Sequence, residues 1–188
     1  MVYETLGVTG SRFWVFKKES VPEVKTQIKL FLEHFKSQGG KRIIQGGALG
    51  VDTWAALTAL DIGLQLITYV PYPDQTGRWT NQEDKTNYEK ILKSSVSVKT
   101  FGDHQDNKLF FARNSGIVKD SDLIFAVIGS GLDRGATWTA KEAQKQEKPL
   151  VVFKWESDLS FKKGSKNISA DSQFLRKLSS SRKNDYRG

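Results

Sequence analysis

Short apolar runs alternate with helical spacings along most of the chain. Residues 5–8 predict a first strand, closed by Thr9-Gly10-Ser11. Val24, Ile28, Phe31, Leu32 and Phe35 then recur at helical spacing, and Gly39-Gly40 stops that helix. Residues 42–45 predict a second strand running into Gly46-Gly47-Ala48-Leu49-Gly50-Val51-Asp52. A helix from Asp52 or Thr53 to Ile62 stops at Gly63, and residues 66–70 form a third strand, broken by Pro71-Tyr72-Pro73. Residues 74–85 are polar without a period and read as a loop, of a length that in compact domains often covers a site. Residues 88–94 read as helix, 97–101 as extended and 108–119 as helix. The most apolar strand is 123–128. A glycine-rich turn at 129–135, a helix at 137–146 and a strand at 150–153 complete the series.

Strands alternating with helices predict an α/β domain of Rossmann-like build, a doubly wound, mainly parallel sheet with helices on both faces. The chain has 188 residues, enough for one buried core but short for two domains. Composition breaks near Lys154, so residues 1–153 read as the domain and 154–188 as a basic C-terminal extension. That extension holds nine basic residues against four acidic ones, most of the net charge of +8. Such an excess suits either a polyanionic partner or a solubilising tail. Within it, residues 171–178 form an amphipathic helix candidate with Phe174, Leu175 and Leu178 on one side, and the end from Ser179 reads as disordered.

The absence of Cys excludes disulfides and thiolate metal sites, and two His, His34 and His104, do not make a His-rich metal centre. No run approaches the roughly 18 apolar residues of a bilayer span. Residues 1–10 lack the basic and apolar regions of a signal peptide, so a cytoplasmic location is the expectation.

Three glycine-bearing turns each follow a strand and precede a helix: Gly7 to Arg12, Gly46 to Asp52, and Gly129 to Gly135 with Gly131 between. Strand ends form the crevice of open parallel sheets, and helix N-termini there present N–H groups to phosphate. Ser11 and Arg12 add a hydroxyl and a guanidinium suited to phosphate oxygens. Asp52 reads either as a helix N-cap or as a group that takes a ribose hydroxyl or orients a loop. In the segment that follows the third strand, Tyr72, Arg78 and Trp79 are candidates to close over a base by stacking, unless Trp79 merely anchors its loop. Arg113 and Asn114, taken alone, read as solvated helix positions.

The series Gly10-Ser11-Arg12, Gly46-Gly47-Ala48-Leu49-Gly50-Val51-Asp52, Phe111-Ala112-Arg113-Asn114 and Gly135-Ala136-Thr137-Trp138-Thr139-Ala140 resembles the DprA/SLOG superfamily. That group takes in DNA-processing DprA proteins, YpsA- and YspA-like proteins and LOG enzymes. The resemblance runs in the family's order from Leu6 to about Phe153. It implies a Rossmann-like sheet holding a nucleotide or nucleic-acid phosphate at Gly10, Ser11, Arg12, Gly46, Gly47, Ala48, Gly50, Asp52, Gly129, Gly131, Gly135, Ala136 and Thr137. It also gives Arg12, Arg113 and Asn114 a place on a rim for single-stranded DNA. The chain departs from the DprA pattern at Gln45, Arg134 and Ala136, where serines are expected. The LOG pattern places a catalytic Glu where this chain has Thr139, and Glu142 comes three residues late, almost a helical turn.

Three readings follow. The first is a non-catalytic binder that senses or sequesters a nucleotide-derived ligand, with no cofactor required. The second is single-stranded DNA binding of the DprA kind. The third, a nucleotide N-glycosidic hydrolase, lacks its carboxylate. The resemblance also implies a homodimer, for which Phe13, Trp14 and Phe16 are candidate contacts unless they cap the core.

Overall fold

Alternation of period two and period 3.6 becomes alternating strands and helices in the computed structural model, which describes residues 3–129, 134–155 and 161–163. Strand β1 (Thr5–Gly10) leads through two single helical turns, Phe13–Val15 and Lys18–Ser20, into α1 (Val21–Ser37). Next come β2 (Arg42–Gln45), α2 (Val51–Asp61), β3 (Gln65–Val70), α3 (Gln82–Ser94) and β4 (Ser97–Thr100). The series closes with α4 (Asn107–Lys119), β5 (Leu123–Ile128), α5 (Arg134–Lys145), β6 (Leu150–Trp155) and β7 (Phe161–Lys163). The strands make one sheet in the order β4-β3-β2-β1-β5-β6-β7. The first six are parallel, and β7 pairs antiparallel with β6.

Helices α1, α2 and α3 cover one face. Leu6, Val8, Ile43, Leu66 and Phe125 point there, against Ile28, Phe31 and Phe35 of α1, Ala55 and Ala59 of α2, and Ile91 of α3. Phe31 stacks on Phe125 at 3.9 Å between centroids, and Phe153 meets Phe125 edge-on at 5.2 Å. The other face is covered by α4 and α5, with Ile124, Ala126 and Leu150 against Val118, Ala140 and Ala143. This is the doubly wound, Rossmann-like arrangement that the pattern predicts.

Two expectations need correction. Residues 82–85 are helical, not loop: α3 starts six residues before Tyr88. Its first turn is polar and its N-terminus is held by the Asn81 side chain, which accepts from Glu83 N–H (2.8 Å) and Asp84 N–H (3.2 Å). Only Tyr88 and Ile91 of α3 are buried, so its apolar period is too sparse to read. The sheet also runs past residue 153, through Trp155 and on to β7. The helix expected at 171–178 and the end from Ser179 lie outside the described residues. No helix among the described residues is long and apolar enough to cross a membrane.

Candidate functional site

Strand β1 is the switch point of the sheet. The chain leaves it for β2, β3 and β4 on one side, then crosses by α4 to β5 and β6 on the other. The connections after β1 and β5 lead to helices on opposite faces of the sheet, the arrangement that leaves a crevice at the carboxyl ends of the strands. Ser11 sits in that crevice, fully buried. Its N–H donates to the Val127 carbonyl (2.9 Å), and its Oγ accepts from the Gly129 N–H (3.0 Å). The hydroxyl expected to face a phosphate thus ties the end of β1 to Gly129, just past the end of β5.

Gly10 and Gly50 serve the same packing. A Cβ on Gly10 would lie 2.5 Å from Val51 Cβ, and one on Gly50, whose φ is +96°, would lie 2.5 Å from the Ser11 carbonyl oxygen. The β1 loop rests directly on the start of α2, where Val51 N–H donates to that carbonyl at 3.2 Å. Gly50 holds the N-cap position, and no side chain caps α2.

The second glycine loop is held by four side chains, from α2, β2, α4 and the segment after β3. Asp52, in the first turn of α2, accepts from the N–H groups of Gly46 (3.1 Å) and Ala48 (3.4 Å). It is therefore no N-cap; it orders the loop that precedes its helix. Gln45 of β2 accepts from Gly47 N–H and donates to Thr68 Oγ1 at 2.7 Å. From α4, Arg113 donates to the Gly46 carbonyl and lies 3.8 Å from Asp52 Oδ2. Gln75 donates to the carbonyls of Gly47 (2.7 Å) and Gly46 (3.3 Å). The amides of Gly46, Gly47 and Ala48, expected to hold phosphate, are engaged within the protein.

Arg113 and Asn114 are buried rather than solvated, because α4 packs them under this loop. Burial raises the Asp52 carboxyl, opposed chiefly by the charge of Arg113. Burial likewise lowers the Arg113 guanidinium to about 10, opposed by Asp52, so it stays charged at neutral pH. Three buried polar atoms around the loop make no hydrogen bond among the described residues: Gln75 Oε1, Tyr88 Oη and Arg113 Nε.

Above these loops lies an open groove of about 940 Å³. Arg12, Phe13 and Trp14 form one border, Leu49 a second, and Arg78 and Trp79 a third. It continues past Arg78, Gln105 and Asn107 toward His104, in the segment that precedes α4. Tyr72 also lines the groove, yet it is buried and packs edge-on against Phe110 (5.7 Å), so its ring anchors the segment and is not a free stacking face. Trp79 is half-buried and leans on Tyr88 at 5.4 Å, combining anchorage with a place on the groove. Arg78 is exposed. Phe16 is buried in the core against Trp54, whereas Phe13 and Trp14 are exposed on the groove border. Their signal in the sequence was position, directly after Gly10-Ser11-Arg12.

Gly129 sits beside Ser11, and Gly131 lies outside the described residues. Gly135, Ala136 and Thr137 start α5, with Ala136 buried and its two neighbours exposed; none of the three borders the groove. Thr139 is fully buried and donates to the Gly135 carbonyl at 3.0 Å, so no carboxylate stands at that position. Glu142 is half-buried and accepts from Gln146 at 2.7 Å. No cluster of metal-ligating side chains occurs among the described residues.

An open, doubly wound sheet with glycine loops at its switch point and a groove above them defines a Rossmann-like α/β protein. The chain belongs to the YspA SLOG family, whose model matches residues 7–153. It is similar to a UPF0398 protein of Oceanobacillus iheyensis, at 24% identity over 147 residues covering 74% of this chain and 79% of the relative. A UPF0398 protein of Bacillus velezensis is 23% identical over 155 residues, 76% of this chain and 85% of that one.

Among solved structures, the fold is shared with DNA processing protein A from Helicobacter pylori, described for its single-stranded DNA binding mode (TM-score 0.58, 23% identity, 93% of this chain and 72% of that one). It is shared too with DprA from Streptococcus pneumoniae (TM-score 0.59, 21% identity), of which this chain spans half the length against 80% of its own. The molybdenum cofactor carrier protein of Chlamydomonas reinhardtii matches at a TM-score of 0.50 and 19% identity, over 79% of this chain and 75% of that one.

Proposed function

We propose that the protein binds a nucleotide or nucleotide-derived ligand without chemical change, as a sensor or sequestering protein. The observation that carries this reading is the groove over the strand ends, with Arg12 and Leu49 lining it ahead of α2 and aromatic side chains around it. Phosphate takes the Arg12 guanidinium, with the α2 dipole adding to the favourable field. The base takes the aromatic part. A buried Thr139 in place of a carboxylate supports binding over hydrolysis.

Calorimetric titration with nucleoside mono- and diphosphates tests the reading. A charge-assisted contact of this kind predicts a loss of about 10- to 100-fold in affinity for Arg12→Ala. Unchanged affinity removes Arg12 from the site, and no binding by the wild type removes the proposal.

Single-stranded DNA is the second reading. It is favoured by the net charge of +8, by the groove's continuation past Arg78, and by the fold shared with DprA proteins. Salt separates the two. A strand spanning several phosphates loses affinity steeply, with a log–log slope near −0.7 per phosphate, whereas one or two phosphates give a shallow response.

A further inference from the structure

Trp14 is 63% exposed and its neighbour Phe13 is 43% exposed, on a protein whose other tryptophans among the described residues are at least half-buried. Large aromatic surface left in water at a concave site marks a contact surface. The backbone beneath it is fixed. Val15 N–H donates to the Arg12 carbonyl at 3.0 Å, Phe16 N–H donates to the Phe13 carbonyl at 3.2 Å, and the Phe16 ring is buried against Trp54. Phe13 braces the Trp14 ring in a T-shaped contact at 5.0 Å. An exposed ring is therefore presented from a pinned turn, so little order has to be gained when something stacks on it.

Its surroundings say what stacks. Trp14 lies two residues from Arg12, and both line the same groove. Asp74 and Asp84 line it too, and their carboxylates repel phosphate, whereas the guanidiniums of Arg12 and Arg78 attract it, Arg12 being the one beside Trp14. Of the other aromatic side chains there, Tyr72 is buried and Trp79 is half-buried against Tyr88, so Trp14 presents the most open ring.

We propose that Trp14 is the base-stacking residue of the groove, so that the ligand carries an aromatic base and is a nucleotide rather than a sugar phosphate or free phosphate. This rests on the nucleotide-binding reading above.

The test is titration of the wild type, Trp14→Ala, Trp14→Phe and Arg12→Ala with adenosine 5′-monophosphate and with ribose 5-phosphate. Base–aromatic stacking predicts that Trp14→Ala weakens the adenosine nucleotide about 5- to 100-fold. It predicts that ribose 5-phosphate is unaffected and that Trp14→Phe recovers part of the loss. If Arg12→Ala weakens the nucleotide while Trp14→Ala does not, the stacking role is overturned and the binding reading survives. The stacking role also falls if Trp14→Ala alters the oligomeric state but not nucleotide affinity, since the ring then belongs to a contact between copies. Failure of the wild type to bind either probe overturns both.

Discussion

The Arg113 guanidinium of α4 lies 3.8 Å from the Asp52 carboxylate of α2, with both side chains almost fully buried. Between them sits the backbone of Gly46, which donates to one and accepts from the other. Helices on opposite faces of the sheet are thus linked through the end of β2 by a single charged contact.

Removing one partner strands the other charge in the interior. Asp52→Asn should cost about 3–5 kcal/mol in urea unfolding, as expected for breaking a buried pair. Arg113→Met should cost a similar amount, and the double variant less than the two losses combined. Strictly additive losses would show that the pair is not coupled.

Gly46 and Gly63 offer a comparison of two kinds of glycine. A Cβ at Gly46 would coincide with the Arg113 guanidinium, so Gly46→Ala should destabilise by about 3 kcal/mol or more through displacement of a buried ion. At Gly63 the nearest atom is 3.4 Å away, but φ is +73°, and Gly63→Ala should cost only about 1 kcal/mol in backbone strain. Comparable losses in chemical denaturation would contradict this ordering.

Tyr88 carries a buried hydroxyl without a partner among the described residues, and burial pushes its phenol up to about 12. Tyr88→Phe should leave thermal stability unchanged or raise it by a few degrees, because an unsatisfied polar atom is lost and the ring remains. A clear fall in the melting temperature would mean that the hydroxyl is satisfied in solution.

The Asp120 carboxyl is shifted in the opposite direction to that of Asp52. Burial alone would raise its carboxyl, but the Tyr69 hydroxyl (2.6 Å) and the Lys99 ammonium (3.3 Å) hold it below its ordinary value of 3.8. A carboxyl depressed in the folded state contributes stability that is present above the unfolded value and lost as pH falls through the folded one. Asp120→Asn should therefore flatten the acid limb of the stability–pH curve below about pH 4. An unchanged limb would show that the contact has no thermodynamic weight.

The fold was legible wherever burial follows a strong period. Val24, Ile28, Phe31, Leu32 and Phe35 all face the core as their spacing requires. It was illegible in α3, where capping by Asn81 rather than an apolar stripe starts the helix. The placing of the glycine loops at the strand ends could be read from the sequence, but their contacts could not. Asp52 has the composition of a cap and the role of a loop clamp. Arg113 looks solvated in its own helix and is buried only because α4 crosses beneath β2. Tyr72 looks free in a polar stretch until Phe110, 38 positions later, packs on it. Such pairings depend on tertiary approach, which local pattern does not encode.

Because the second glycine loop satisfies its own amides through Asp52 and Gln45, its shape is independent of whatever enters the groove. On the proposed reading recognition falls to rim side chains such as Arg12, Trp14 and Arg78, none of which belongs to the hydrophobic core. Selection can exchange those few residues, and with them the preferred molecule, while the scaffold beneath is left untouched.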